Sequence, residues 1–271
     1  MMRALYTAAT GMIAQQSNVD NISNNLSNVN TVGYKEQKTE FKSLLYQTIQ
    51  TRTTSANGEE KPISAQVGLG TRVAANTSIY TQGSMIASEN STDFAISGDG
   101  FFAVRGADGE TYYTRAGNFT WAVNGNAVRL TTTDGYPVLD TNGNEITLPA
   151  GVSSGQVIVS SDGSFGYTTA KGTYVDMNRS FGIYQFNNPA GLEKEGQNLL
   201  AETPASGAPL NEATNNNVTR SKIYQNYLEG SNVQVADEMV NLIVAQRAYQ
   251  LNSKAITASD EMLEQANNLR R

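Results

Sequence analysis

Oxygen-bearing side chains crowd one short run, Asp140-Thr141-Asn142-Gly143-Asn144-Glu145, and in that order they could begin a calcium loop. An EF-hand loop needs glycine at its sixth position and glutamate at its twelfth. Here the glycine comes fourth, so Asn142-Gly143 reads better as a hairpin turn. Gly68-Leu69-Gly70 and Gly98-Asp99-Gly100 complete neither a dinucleotide fingerprint nor a phosphate-loop lysine pattern, and turn glycines are the simpler account. The aromatics Tyr112, Tyr113, Phe119, Trp121, Phe165, Tyr167, Phe181, Tyr184 and Phe186 could stack sugars or bases, but in a strand-rich segment such residues more often form core or cross-strand pairs. The chain has no cysteine and no histidine. Thiol nucleophiles, Ser-His-Asp chemistry and His-ligated zinc are therefore excluded. A hydrolase built on two carboxylates would need them to converge in a cleft, and the sequence offers only scattered turn aspartates. No catalytic, cofactor-binding or metal residue is assigned, and no cofactor or small-molecule substrate is expected.

The bulk numbers narrow the partners. The 271 residues leave room for one large domain or two modest ones. A net charge of -6 argues against nucleic acid and against an anionic membrane surface. No stretch approaches the roughly 18 apolar residues of a membrane span. Met1 to Gln16 lack the form of a cleavable signal peptide, since Thr7, Thr10, Gln15 and Gln16 interrupt any apolar run. Taken alone, that points to the cytoplasm.

The elements that carry these residues fall into three parts. At the N-terminus Leu5, Met12, Val19 and Leu26 recur every seven residues, with Ala8, Gln15, Ile22 and Val29 offset by three. This a/d seam predicts a helix from about Ala4 to Val29, stopping near Gly33. Its other faces carry Asn18, Asn21, Asn24, Asn25, Asn28 and Asn30 with Ser17, Ser23 and Ser27. Asn and Ser are weak helix formers, so the segment is expected to be poorly ordered in a free monomer and to fold against partners. At the C-terminus Val235, Leu242, Tyr249, Ile256 and Leu263 repeat the seven-residue spacing, widened by Met239, Ala245 and Ala266. They predict a helix from about Val233 to Leu269, capped by Ser231 or Asn232, with Asp237 and Glu238 at its positive end and Arg270 and Arg271 at the other. The two helices are expected to be partners.

Between Ile79 and about Tyr184 the pattern changes. Asp99-Gly100, Asp108-Gly109, Asn124-Gly125, Asp134-Gly135, Asn142-Gly143 and Asp162-Gly163 signal hairpins, read here as two-residue type I′ turns, with short strand-like runs between them. Thr48 to Gln66, with Asn57-Gly58 and Pro62, reads as an exposed loop or long hairpin, and Pro204 to Asn217 as a linker. The expected fold is α+β, with long terminal helices paired as a coiled-coil-like core and an all-β domain inserted. Its expected parts are 1–33, 34–78, 79–203, 204–231 and 232–271. Two helices cannot hide both apolar stripes on each other, and a contact that does not close into a ring builds a filament.

Two segments carry a resemblance. Asn24-Asn25-Leu26-Ser27-Asn28-Val29-Asn30-Thr31-Val32-Gly33-Tyr34-Lys35 resembles the N-terminal signature of the flagellar basal-body rod and hook protein family. The run from Glu238 to Ile256, containing Ala245-Gln246-Arg247-Ala248-Tyr249, is similar to the family's C-terminal signature. Gly98 to Phe102, Tyr113 to Phe119 and Gly135 to Leu139 look like its β domain, so the likeness covers nearly the whole chain. The length leaves no room for the additional outer domain usual in hook members. The stretch from Tyr46-Gln47-Thr48-Ile49 to Gly68-Leu69-Gly70-Thr71-Arg72-Val73 resembles the extra segment of a rod member.

The resemblance implies a homo-oligomeric helical tube that transmits torque, with the terminal helices inside and the β domain outside. It implies subunit contacts through Leu5, Met12, Val19, Ile22, Asn24, Asn25, Leu26, Asn28, Val29, Val235, Met239, Leu242, Gln246, Arg247, Tyr249, Asn252, Ile256 and Leu263. Tyr46, Gln47, Thr48, Ile49, Gly68 and Gly70 would belong to the rod-specific loop. The partners it implies are other rod subunits, the hook protein, the export apparatus, the rod cap and, where an outer membrane exists, the ring bushings. It also implies an extracytoplasmic site reached without a cleaved signal, which replaces the cytoplasmic expectation. The other readings are a paralogous rod or hook–basal-body protein, or a secreted adhesin that binds sugar through its aromatics.

Overall fold

The computed structural model describes residues 2–50, 65–125, 127–149, 151–169, 173–215 and 218–269. They form an α+β fold with a helix near each end and many short strands between. The chain divides into two compact units. Met1–Ser27, Gln37–Ser78 and Gln234–Arg271 make the first; Asn28–Glu36 and Ile79–Val233 make the second.

The first unit holds both helices. Helix α1 spans Met2–Ser27 and α2 spans Val235–Asn268, and the two pack on each other. The polar hydroxyls of α1 are absorbed by the helix itself: Ser17 and Ser27 donate to the carbonyls of Ile13 and Ser23, four residues back. Neither residue expected to cap α2 does so. Gln234 occupies the N-cap without a side-chain bond. Ser231 Oγ accepts the Val233 N–H, while Asn232 accepts the Glu36 N–H and donates to the Ile79 carbonyl. Asp237 and Glu238 do stand in the first turn; Arg270 and Arg271 lie outside the described residues. Strands β1 (Gln37–Ser43), β2 (Tyr46–Gln50), β3 (Ala65–Gly68) and β4 (Thr71–Ser78) form two antiparallel pairs, β1 with β4 and β2 with β3. Asn57-Gly58 and Pro62, the turn signals between β2 and β3, fall outside the described residues.

The second unit is built of strands and two short 3-10 turns. It begins with β5 (Met85–Ala87), β6 (Phe94–Ser97), β7 (Phe101–Arg105), β8 (Thr111–Thr114), β9 (Thr120–Asn124), β10 (Ala127–Thr131) and β11 (Thr147–Leu148). It continues with β12 (Val157–Val159), β13 (Ser164–Thr168), β14 (Tyr174–Ser180), β15 (Ile183–Gln185), β16 (Glu193–Gly196), β17 (Leu199–Ala201), β18 (Leu210–Asn211), β19 (Lys222–Gln225) and β20 (Tyr227–Glu229). The largest sheet runs β16-β17-β8-β7-β15-β18. The segment expected as a return linker, 204–231, carries β18, β19 and β20, and β19 pairs with β6 over its whole length. The signature residues Asn28 to Lys35 belong to this unit, not to the helix.

Of the six Asp-Gly and Asn-Gly signals, Asn124-Gly125 falls where Asn124 pairs with Ala127, the two-residue spacing expected; Asp99-Gly100 joins β6 and β7, which do not pair; the other four mark hairpins of another kind. At Asp108-Gly109, Asp134-Gly135, Asn142-Gly143 and Asp162-Gly163 a three-residue loop closes with the glycine N–H on the carbonyl three residues back. Each of these glycines has φ between 77° and 90°, the left-handed position that ends a three-residue hairpin with a bulge. At Asp99-Gly100 it is Gly98, not Gly100, that takes the positive φ. The aromatics fill the core: Phe119, Phe165 and Phe181 join Phe94 and Phe102 in one cluster, and Tyr113 and Phe186 join Phe101 in another. Asp140 spends its carboxylate within the fold, accepting the N–H groups of Asn142 and Asn144 at 2.8 and 3.0 Å and pairing with Arg179 at 3.1 Å. The calcium-like run is thus a hairpin.

Candidate assembly surface

In the first unit the usual distribution of residues is inverted. Among the described residues its buried apolar side chains are Ala8, Ala14, Ile22 and Ala245, three alanines and one isoleucine. Beside them lie the buried polar residues Asn21, Asn25, Thr39, Glu238 and Ser259. Many of the large apolar side chains face outward. On α2, Ile243 is 57% exposed, Val244 61% and Leu251 66%, and Val240 and Met239 are also exposed. Ile13 on α1 and Leu45, Tyr46 and Ile49 around β2 repeat the pattern. Burying an aliphatic side chain fully is worth about 1.5–3 kcal/mol, so a unit that hides alanine and exposes isoleucine has left most of that energy unused.

The reason lies in how closely the helices approach. A Cβ built on Gly11 would stand 2.9 Å from the Asn252 Nδ2, so α1 and α2 meet across small residues. The buried residues of α2, Glu238, Ala245 and Ser259, share one seven-residue repeat with half-buried Asn252, three positions on from the series Val235, Leu242, Tyr249 and Ile256. Leu242, Asn252, Ile256 and Leu263 are half-buried, whereas Val235, Met239, Gln246, Arg247 and Tyr249 are exposed. On α1, Leu5, Met12, Val19 and Leu26 are half-buried, as are Asn28 and Val29 beyond its end, while Asn24 is exposed. A groove of about 320 Å³ opens along the pair, lined by Gln16, Val19, Gln246, Tyr249 and Gln250.

Two residues expected at a subunit contact are committed inside the chain. Ile22 is buried, and Asn25 is a backbone bracket: its Nδ2 donates to the Gln37 carbonyl at 2.8 Å and its Oδ1 accepts the Gln37 N–H at 3.0 Å. Both the NH2 donor and the carbonyl acceptor of this side-chain amide are used to tie β1 to α1, which no aliphatic or ionised acidic residue could reproduce. In the loop series, Tyr46, Gln47 and Thr48 pair with Gly68, Val67 and Gln66, and Tyr46 and Ile49 are exposed. Gly70, at φ +116°, lies so close to Thr10 that a side chain there would collide with its hydroxyl. The exposed Val240, Ile243, Val244 and Leu251 were missed because they lie off the seven-residue stripe. Their signal was present as an apolar run too wide for one stripe, Met239-Val240 and Leu242-Ile243-Val244.

The second unit holds a charged cluster that spacing could not reveal. The Glu229 side chain is 0% exposed; Oε1 pairs with Lys35 Nζ at 2.6 Å and Oε2 with Arg115 Nη1 at 3.2 Å. Oε1 also accepts the Gly83 N–H at 3.0 Å. Lys35 Nζ donates again to the Thr81 carbonyl at 2.7 Å, Arg115 Nη2 to the Gly98 carbonyl at 2.7 Å, and the guanidinium lies 5.0 Å over the Phe101 ring. Burial holds the Lys35 ammonium below the ordinary lysine value, with Glu229 opposing the shift. Gly33, at φ +69°, lets the chain run against Arg115 and Ala116, where a Cβ would come within 2.6 Å of backbone. Among the described residues no group of three or more acidic side chains is placed to hold a metal, and no helix is long and apolar enough to cross a membrane.

Comparison with known proteins places three family models along the chain. Residues 5–35 match the flagella basal body rod protein model, 95–167 the D1 domain of flagellar hook protein FlgE/F/G, and 224–269 the C-terminal model of flagellar basal body rod FlgEFG protein. A flagellar basal-body rod protein FlgG of Agrobacterium fabrum is 43% identical over 270 residues, covering 96% of this chain and 97% of the relative. The FlgG of Borreliella burgdorferi is 43% identical with both chains fully covered, and that of Bacillus subtilis 38% identical, again over both whole chains.

Proposed function

This chain belongs to the flagellar basal-body rod protein family, and on that premise we propose that it builds the distal rod as a hollow helical shaft carrying torque from motor to hook. It is a structural subunit of the flagellar basal body, not an enzyme, and it assembles with other rod and hook components. The observation that carries the proposal is the inverted first unit: small and polar inside, aliphatic outside. Such a surface is stable only when covered, and neighbouring copies of the same chain offer the same uncovered surface. We read α1 and α2 as a coiled-coil-like pair whose outer residues, including Val235, Met239, Gln246, Arg247 and Tyr249, meet adjoining subunits. Half-buried Leu5, Met12, Val19, Leu26, Leu242, Ile256 and Leu263 would lie at the seam between pair and neighbour. The strand unit acts as an inserted all-β domain facing outward, and β2 and β3 extend contacts along the shaft with Tyr46 and Ile49.

A shaft that resists twisting needs many simultaneous contacts rather than one strong one, because torque is shared over every interface. The proposed location is extracytoplasmic, with the export apparatus, rod cap and, in cells with an outer membrane, ring bushings as further partners. A replacement on the exposed face tests the scheme without touching the fold. Ile243→Asp introduces a charge that costs nothing on a free monomer and several kcal/mol once buried unpaired. Cells carrying it are expected to lack assembled rods and to be non-motile, with the purified protein unfolding in urea as the wild type does. Normal swimming by the Ile243→Asp strain would overturn the assignment of this face.

A further inference from the structure

We propose that the cavity beside the Lys35–Glu229–Arg115 cluster is a carboxylate-binding site. It has a volume of about 150 Å³ and is walled by Tyr34, Lys35, Arg115, Lys194, Gln197 and Leu199, all of the second unit. Three observations meet there.

The first is charge. Lys35 and Arg115, 4% and 2% exposed at the side chain, share one carboxylate, that of Glu229. Arg115 Nε is buried with no hydrogen-bond partner among the described residues. Lys194 adds a third cation with no ion pair among the described residues; its ammonium lies 5.7 Å over the Tyr34 ring. The next acidic group acting on Lys35 is the exposed Asp99. The residues that line the cavity carry three cations and no carboxylate, and the field of the two buried ones, Lys35 and Arg115, is little screened by solvent, whereas Lys194 is exposed between Glu193 and Glu195. Lys35 and Arg115 form part of the wall with their side chains almost wholly buried, and act chiefly through their field. Lys194 stands at the opening and donates directly.

The second is backbone. Gly196 pairs with Leu199, and the two residues between, Gln197 and Asn198, have φ of 51° and 60°. Both central positions of this turn favour glycine or asparagine. Asn198 is accounted for, its Nδ2 donating to the Val32 carbonyl at 3.3 Å. Glutamine at a left-handed position is the costlier choice, and its side chain lines the cavity with no described partner. An amide and an ammonium at one opening, neither with a hydrogen-bond partner shown among the described residues, suit a two-oxygen acceptor.

The third is supply. The chain carries 25 acidic against 19 basic residues, so a surface of adjoining copies presents an excess of carboxylates. An Asp or Glu side chain of an adjoining copy is the source these numbers favour; a free small carboxylic acid has the same chemistry. The choice of source, though not the site, rests on the assembly proposed above.

The test uses the full chain as a monomer, followed by NMR at the Gln197 side-chain amide and the Lys194 ammonium. Titration with sodium acetate is expected to shift both signals saturably, sodium chloride at equal ionic strength is not, and Lys194→Met should weaken acetate binding about tenfold with its urea midpoint unchanged. Equal responses to acetate and chloride, or an unchanged response in Lys194→Met, would overturn the site. Sedimentation of the polymerising protein separates the sources. If an adjoining copy supplies the carboxylate, Lys194→Met and added acetate each raise the concentration needed for assembly several-fold. If acetate binds but neither change affects assembly, the copy-borne source is wrong and a free acid occupies the site. Polymerisation by Ile243→Asp would sink the helix-face assignment and leave the acetate result standing.

Discussion

Glu229 ties together three stretches of chain that are far apart in sequence: the run ending at Lys35, the β8 end at Arg115 and its own strand β20. Removing one partner of a buried ion pair leaves charge without compensation and costs about 3–5 kcal/mol. Glu229→Gln is therefore expected to lower the urea stability of the strand unit by that amount. Glu145→Gln, which breaks a half-exposed pair with Arg129, should change it by less than about 1 kcal/mol. Equal small effects would show that the buried cluster does not hold the unit. Lys35 and Arg115 were visible in the sequence only as members of familiar runs, and Glu229 only as part of a supposed linker. Ion pairs joining residues more than a hundred positions apart leave no trace in local spacing. Asn25 makes the same point in reverse: an outward-facing contact residue by pattern, it turns inward to satisfy the backbone of Gln37.

The hairpins show what turn chemistry fixes. Gly143 has φ +77° and open space around its Cβ position, so Gly143→Ala isolates the strain of the left-handed backbone, about 1–2 kcal/mol. Gly163→Ala carries the same strain plus a contact of 2.9 Å with Ile223 Cδ1. Thermal unfolding is expected to rank it the less stable of the two variants, and the reverse order would mean that packing around Gly163 gives way freely. Both glycines were legible as turns, because Asp-Gly and Asn-Gly permit little else; the loop length was not, since it depends on how the flanking strands twist. Helices α1 and α2 were legible to within two residues from their seven-residue repeats. Their rotation was not. The repeat selects the largest apolar residues as the seam, whereas the chain brings small ones together and leaves Ile243, Val244 and Leu251 outside. Strands β18 to β20 escaped notice because they are short and lie among polar residues, and β19 is fixed by its pairing with β6 rather than by its own sequence.

At the scale of the molecule the two units differ in what sustains them. The strand unit has its own aromatic core, with Phe94, Phe101, Phe102, Phe119 and Phe165 essentially inaccessible. Among the described residues the helical unit has four small or medium apolar residues at its centre, and on the proposed scheme neighbours supply the rest. On the proposed scheme a protein so divided stays unassembled while its termini are uncovered and gains order when copies meet. Amide hydrogen exchange, read segment by segment on the free monomer and on assembled rods, tests this most directly. The expected result is slow exchange in β6, β7 and β15 in both states, fast exchange in α1 and α2 in the monomer, and strong protection of both helices in the rod. Helices equally protected in the free monomer, with no gain on assembly, would contradict the claim that this unit is completed only by its neighbours.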